Sequence, residues 1–224
     1  MALIADLINF ALHLDQSLAA IINLFGLWTY VILFAVIFAE TGFVVTPFFP
    51  GDSLIFVSGT FAATGLLSFP LLLATLSLAA IAGDTVNYWI GRFLGPRIFK
   101  RADARFFKRE YLERTQEFYE KHGGKTIFLA RFIPVIRTFA PFVAGIGRMK
   151  YGKFIAYNIF GGIVWVALFL FAGYYFGTIP IVQDNLSLAI ITIIVVSFIP
   201  VIAEYVHHRR KKNLSQKGIK KAVK

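Results

Sequence analysis

The amino-acid sequence is 224 residues long, and 58% of its residues are hydrophobic while 16% are charged. Ordinary soluble domains contain roughly 45–50% apolar and about 25% charged residues, so a soluble fold of this length could not bury so much apolar surface. The composition excludes a soluble enzyme, a disordered chain and a conventional nucleic-acid-binding domain, and it indicates an integral membrane protein.

The positive charge is concentrated in the second half of the chain. Lys and Arg number 23 against 12 Asp and Glu, which gives a net charge of +11. The first Lys or Arg is Arg92, and residues 207–224 contain eight Lys or Arg residues and no acidic residue. Basic loops and tails are typical of the cytoplasmic side of a membrane protein, so we expect membrane lipids and no nucleic acid as partners. The chain has no cysteine, and no cleaved signal peptide is predicted.

Uncharged runs predict the membrane segments of a single domain over residues 1–224. A spanning helix needs about 20 apolar residues. The chain begins with a predicted surface helix at 1–15. The first half follows at 16–91, with spans at 17–39 and 70–91 around a re-entrant hairpin at 41–64. Next comes a basic amphipathic segment at 92–125, which contains an interfacial helix at 105–122. In the second part we predict a half at 126–204, with a re-entrant hairpin at 126–147 and spans at 154–179 and 185–204, and a basic tail at 205–224.

The two hairpins are predicted because proline and glycine interrupt otherwise apolar stretches. The expected breaks are Pro47, Pro50 and Gly51 in the first hairpin, and Pro134, Pro141 and Gly145 in the second. The basic loops and tail place both termini in the cytoplasm, so the hairpins enter from opposite faces. This pattern is typical of inverted repeats, whose binding site lies where the broken segments meet. The predicted fold is therefore all-α, with about four spanning helices and two opposed re-entrant hairpins.

Charged side chains within the apolar segments are the candidate functional residues. Glu40 and Asp52 belong to the first hairpin region, and Arg131 and Arg137 to the second. Each would cost about 2.5–3.5 kcal/mol if exposed at the bilayer centre, so they must pair, face water or lie near an interface. Guanidinium groups bind phosphate bidentately, and a carboxyl group removed from water favours its protonated form. The pattern favours a phosphate site on the arginines and a proton relay on the carboxylates. Buried ion pairs that only hold the hairpins together are the alternative.

A further carboxylate, Asp84, lies in the segment GDTVNYWIGR at 83–92. Asp84 lies on a polar stripe of this segment. Beside the stripe, Gly83, Asn87 and Gly91 form a face of small residues that is expected to pack closely against another helix. Asp84 fits either an anchor for a hairpin or a member of the proton relay. No histidine falls in a predicted membrane core, and the chain has no P-loop, so we expect neither an enzyme nor a cofactor or metal.

Three segments together resemble the DedA family of bacterial inner-membrane proteins, whose eukaryotic relatives share the same VTT-domain core. They are ETGFVVTPFFPGDSL at 40–54, GDTVNYWIGR at 83–92 and EKHGGKTIFLARFIPVIRTFAPFVAGIGRM at 120–149. The resemblance implies two opposed re-entrant hairpins and a role in moving lipids across bilayers, with links to the proton-motive force and membrane stress. It also implies an essential acidic pair at Glu40 and Asp52 and an essential arginine pair at Arg131 and Arg137.

These observations lead to one main hypothesis and two alternatives. We expect a flippase-like transporter of undecaprenyl phosphate or a related lipid phosphate in the bacterial cytoplasmic membrane, coupled to protons through the embedded carboxylates. The first alternative is a proton-coupled exporter of small cations or drugs. The second is a scaffold that transports nothing and uses its charges to lock the fold. The oligomeric state and the identity of the lipid are left open.

Overall fold

The structure is a computed structural model that describes residues 14–43, 51–100, 123–183 and Thr192. The described residues form helices and no strands. The helices are α1 (Leu14–Phe25), α2 (Trp28–Gly42), α3 (Gly51–Ala63), α4 (Phe69–Lys100), α5 (Lys125–Ala130), α6 (Pro134–Ile146), α7 (Tyr151–Phe176) and α8 (Pro180–Gln183). The predictions for the surface helix at 1–15, the interfacial helix at 105–122, the span at 185–204 and the tail at 205–224 lie largely or wholly outside the described residues.

Two of the described helices are long and apolar enough to cross a membrane. They are the 26-residue stretch Phe69–Leu94 of α4 and the 26-residue helix α7. At 1.5 Å per residue each extends about 39 Å, which exceeds the roughly 30 Å of a bilayer's hydrocarbon core. They coincide with the spans predicted at 70–91 and 154–179, so both predicted segments are confirmed as continuous apolar helices.

The prediction of one continuous helix over 17–39 is wrong. The chain ends α1 at Phe25, turns through Gly26 and Leu27, and begins α2 at Trp28. Gly26 has a φ of 51°, in the left-handed region that a glycine reaches without steric strain. Its N–H donates to the carbonyl of Ile22 at 2.9 Å, which closes the last turn of α1. The run carries no charge, so hydropathy alone gave no sign of this break.

The second predicted hairpin region contains one break, at residues 131–133. Helix α5 ends at Ala130, and Pro134 is the first residue of α6, where its missing N–H removes no intrahelical bond. The breaks expected at Pro141 and Gly145 are not present, because α6 continues through both residues to Ile146. In the first region, Pro47 and Pro50 lie outside the described residues. Gly51 begins α3.

Helix α4 is the centre of the described bundle. It packs against α2, α6 and α7, while α3 packs against the far half of α7. Small residues allow backbones to approach closely at these crossings. A Cβ at Gly145 would overlap the carbonyl oxygen of Tyr88, and a Cβ at Gly173 would overlap that of Phe56. Gly145 therefore lies within α6 because it provides a flat contact for α4, which explains why it does not interrupt the helix.

Replacement of Gly173 by alanine is expected to destabilise the protein by about 1–3 kcal/mol, because the added methyl group overlaps the backbone of α3. Gly152, near the start of the same helix, has no neighbouring atom within 4 Å of an added Cβ and serves as the matched control. Gly152→Ala should leave the thermal midpoint unchanged or raise it slightly. Thermal unfolding of both variants in detergent tests this packing, and equal midpoints would contradict it.

Candidate functional site

The five charged residues singled out from the sequence converge inside the bundle. Glu40 lies in the last turn of α2, Asp52 in the first turn of α3 and Asp84 in the middle of α4. Arg131 follows the end of α5, and Arg137 lies in the first half of α6. None of them is more than 9% exposed. Helices from both halves of the chain thus bring their charges to one place.

Arg137 joins the two carboxylates of the first half. Its Nη2 donates to Glu40 Oε1 and its Nη1 donates to Asp52 Oδ1, so one guanidinium holds the end of α2 and the start of α3. Trp165 of α7 completes this group, because its Nε1–H donates to Asp52 Oδ1 at 3.0 Å. The guanidinium carbon of Arg137 also lies 4.9 Å from the centroid of the Trp165 ring, within the range of a cation–π interaction.

Arg131 forms a separate group with α4 and α7. Its Nη2 donates to Asp84 Oδ2 and to Asn158 Oδ1. Asn158 is fully buried, and its Nδ2 donates to the carbonyl of Ile81 at 3.0 Å and lies 3.4 Å from Thr85 Oγ1. The amide therefore fixes the guanidinium of Arg131 to the same helix that carries Asp84.

The carboxylate of Glu40 also lies close against the backbone at the start of α3. A Cβ at residue 51 would overlap Glu40 Oε2, so only glycine leaves room for the carboxylate there. Gly51, which was predicted as a hairpin break, thus leaves room for the carboxylate that binds Arg137.

A small cavity lies between the two arginine groups. It is lined by Thr41, Asp84, Arg131, Arg137, Thr138 and Trp165. The cavity has a volume of about 10 Å³. That is room for roughly one water molecule and too little for a phosphate group. The Nε–H of Arg137 is buried and has no acceptor among the described residues. Both guanidiniums therefore line one small cavity.

Three residues of the site were missed or misassigned by sequence reasoning. Asn158 and Trp165 lie in an uncharged run that was interpreted only as a membrane span. Asn87 was assigned to close packing, yet its Nδ2 donates to the carbonyls of Thr41 at 3.1 Å and Thr138 at 2.7 Å. Thr41 directly follows Glu40 in the chain, and Thr138 directly follows Arg137. The available signal was an amide side chain inside an apolar helix, where a polar group needs a partner.

Comparison with known proteins places these residues in a wider group. A family model described as the VTT domain matches residues 49–175. The chain is 54% identical over 212 residues to Protein DedA of Escherichia coli K12, covering 94% of this chain and 97% of that protein. It is 40% identical over 183 residues to an uncharacterized membrane protein of Mycobacterium leprae, covering 82% of each chain. It is 32% identical over 152 residues to the inner membrane protein YqjA of Escherichia coli K12, covering 68% of this chain and 69% of that protein. No solved structure matches the chain.

The two arginine groups predict different responses to loss of a carboxylate. Asp84→Asn leaves Arg131 buried without a described carboxylate, so the free energy of unfolding should fall by about 3–5 kcal/mol. Asp52→Asn should have a smaller effect, because Glu40 still neutralises Arg137. Thermal unfolding of the purified variants measures the difference, and adding Arg131→Gln to Asp84→Asn should recover most of the loss. Equal destabilisation by the two single variants would contradict this pairing.

Proposed function

The chain belongs to the DedA family of VTT-domain membrane proteins, and we propose that it is a transporter that moves a lipid phosphate across the bilayer. The observation that carries the proposal is the placement of two buried guanidiniums, Arg131 and Arg137, on one cavity between the halves of the chain. Guanidinium is the side chain best suited to grip a phosphate group, because its fork matches two phosphate oxygens. The proposed substrate is undecaprenyl phosphate or a related polyprenyl monophosphate, whose tail would stay in the lipid while the headgroup crosses.

The carboxylates occupy the place that the phosphate would take. Arg137 is bound by Glu40 and Asp52, and Arg131 is bound by Asp84. An arriving phosphate oxygen would have to replace a carboxylate oxygen on a guanidinium, and the cavity would have to widen. The site as described is thus the closed state of the proposed cycle, in which the chain's own carboxylates stand in for the substrate.

This exchange provides a physical route to proton coupling. Two guanidiniums and three carboxylates carry a formal charge of −1 together, so an added phosphate would leave a large uncompensated negative charge in an apolar surrounding. Proton uptake by a displaced carboxylate removes one unit of that negative charge and releases the guanidinium for the phosphate. Release of the proton on the other side would restore the ion pair and expel the headgroup. The carboxylates would therefore couple headgroup passage to the pH gradient.

The proposed membrane arrangement has spans at Phe69–Leu94 and α7, two opposed re-entrant hairpins and both termini in the cytoplasm of a bacterial cell. Helices α2, α3 and α6 have 15, 13 and 13 residues, so each is only about 20–22 Å long. That is shorter than the roughly 30 Å hydrocarbon core. The charges at the end of α2 and the start of α3 are buried against other helices, as expected for segments that turn back within the bilayer.

One observation favours a second function, the export of small organic cations. The guanidinium of Arg137 lies between two carboxylates and the face of the Trp165 ring. The same three groups would hold a ligand cation if Arg137 moved away, since carboxylates and aromatic faces both bind ammonium groups. Under this alternative the arginine would act as a gate and would not bind the substrate. Competition experiments separate the two functions. A lipid phosphate would bind the guanidiniums of the ion pairs, whereas a cationic drug would bind the carboxylates.

Arg137→Lys should impair transport although it keeps the charge, because lysine lacks the fork. Loss of one charge-assisted hydrogen bond, about 1.5–3 kcal/mol, corresponds to a roughly 10- to 100-fold slower flipping. Purified protein in liposomes, with labelled polyprenyl phosphate and a labelled phospholipid and with or without a pH gradient, measures the rate. Lys125→Gln, which alters an exposed residue, is the control expected to retain wild-type flipping. Wild-type flipping by Arg137→Lys would exclude the phosphate site, and flipping of neither lipid by folded wild-type protein would favour the cation exporter or the scaffold.

Glu40→Gln should strengthen lipid phosphate binding at neutral pH and flatten its pH dependence. Glutamine cannot compete for Arg137 as an anion, so the variant resembles the protonated wild-type protein at every pH. The lipid phosphate itself gains a proton over the same pH range with either protein. The ratio of the affinity of Glu40→Gln to that of the wild type therefore isolates the effect of Glu40. Equilibrium binding of a short-chain polyprenyl phosphate over a pH series should show this ratio approaching one as the pH falls. A ratio that stays constant with pH would contradict the proposed competition.

A further inference from the structure

An exposed cluster of aromatic and cationic side chains lies away from the buried site. We call it the α4–α7 patch and define it by Trp89, Arg92, Phe93, Arg148, Lys150 and Tyr151. The ring of Trp89 lies 5.5 Å from that of Tyr151 and 5.7 Å from that of Phe93. The guanidinium carbon of Arg92 lies 5.7 Å from the Trp89 ring centroid. Phe93 is 65% exposed, so the cluster presents apolar surface beside its charges.

The patch lies where both long apolar helices end. The apolar stretch of α4 finishes at Leu94, and that of α7 begins at Tyr151. The two helices run antiparallel, since the ring of Tyr88 stacks on that of Phe154 while Asn158 reaches back to the carbonyl of Ile81. The patch therefore occupies one level at the end of both spans, where hydrocarbon gives way to headgroups and aromatic side chains are enriched.

The cations of the patch contrast with the arginines of the buried site. The ion pairs among the described residues involve Arg131 and Arg137, and none involves Arg92, Arg148 or Lys150. The described stretches 85–100 and 123–183 contain no acidic residue. These cations thus carry a positive charge that the described part of the chain does not neutralise.

The backbone holds these cations in place at some cost. Arg148 has a φ of 52°, and it is the one non-glycine residue with a positive φ in the described part of the chain. A non-glycine residue costs roughly 1–2 kcal/mol there, and glycine would avoid that strain. The hydroxyl of Tyr88 donates to the carbonyl of Met149 and accepts a hydrogen bond of 2.8 Å from Arg92 Nη1. This pins the turn between Arg148 and Lys150 next to Arg92, and a strained arginine on a rigid turn points to a function of the side chain.

We propose that the α4–α7 patch binds the phosphate headgroup of an anionic phospholipid from the surrounding leaflet. The guanidiniums of Arg92 and Arg148 and the ammonium of Lys150 would contact the phosphodiester, while the lipid chain would lie along the exposed ring of Phe93. The occupant is a bulk membrane lipid because the patch combines net positive charge with apolar surface at the membrane boundary. The site is separate from the buried cavity, and it does not depend on what the chain transports.

Spin-labelled phosphatidylglycerol and phosphatidylcholine, each in vesicles of phosphatidylcholine containing the full chain, measure the preference for the anionic lipid. The wild type should prefer phosphatidylglycerol, and this preference should fall as salt is added. Arg148→Gly should lower it roughly fivefold, the effect of one cation near an anionic surface. Glycine adopts the positive φ without strain, so the thermal midpoint of this variant should be unchanged or higher than that of the wild type. A weaker lipid preference would then reflect lost binding and not a loss of folded protein.

Lys220→Gln is the matched control, because it removes one positive charge from the basic C-terminal segment and should leave the preference unaltered. A wild-type preference in Arg148→Gly would overturn the proposal. An equal loss in Lys220→Gln would also overturn it, by showing that net charge alone attracts the lipid. Displacement of the bound label by a polyprenyl monophosphate but not by unlabelled phosphatidylglycerol would reassign the patch to a transported lipid and so overturn the choice of a bulk phospholipid.

Discussion

The described bundle depends on neutralising charge within an apolar interior. Five ionisable side chains lie at most 9% exposed, and each would cost about 2.5–3.5 kcal/mol if left exposed at the centre of a bilayer. Because the carboxylates lie on one half of the chain and the guanidiniums on the other, the halves must meet for either set to be tolerated. The position of the helix ends follows from this requirement, since α2 and α3 deliver carboxylates to a guanidinium carried by α6.

Close helix packing also contributes to the neutralisation of the buried charges. Side chains as short as Asp52 and Asp84 reach a guanidinium only if the backbones approach closely, and glycine contacts at the helix crossings allow that approach. The buried amides of Asn87 and Asn158 then fix the helices that bear the charges by binding their carbonyls. The network therefore combines ion pairs, which attract the halves, with amide hydrogen bonds, which set their spacing.

Four of the described arginines fall into two different environments, and these suggest two different uses. Arg131 and Arg137 are buried and paired with carboxylates, so an anion would reach these guanidiniums by exchange with a carboxylate. Arg92 and Arg148 lie at the end of the spans beside exposed aromatic rings and near no described carboxylate. An anion would bind there without displacing a described carboxylate. The proposed lipid transporter would use the buried site for its cargo and the α4–α7 patch for a lipid of the leaflet.

The amino-acid sequence by itself determined the membrane class, the two long spans, the family and the charged residues of the candidate site, because hydropathy and charge placement are local properties. It did not reveal the break at Gly26, since a left-handed turn in an uncharged run leaves hydropathy unchanged. It also wrongly predicted breaks at Pro141 and Gly145, where α6 continues to Ile146 and Gly145 packs closely on α4. Only the tertiary structure decided which charges pair, because Arg137 meets its partners 85 and 97 residues away along the chain. For the same reason the role of Trp165 appeared only in three dimensions, since its ring and its N–H act on residues from other helices.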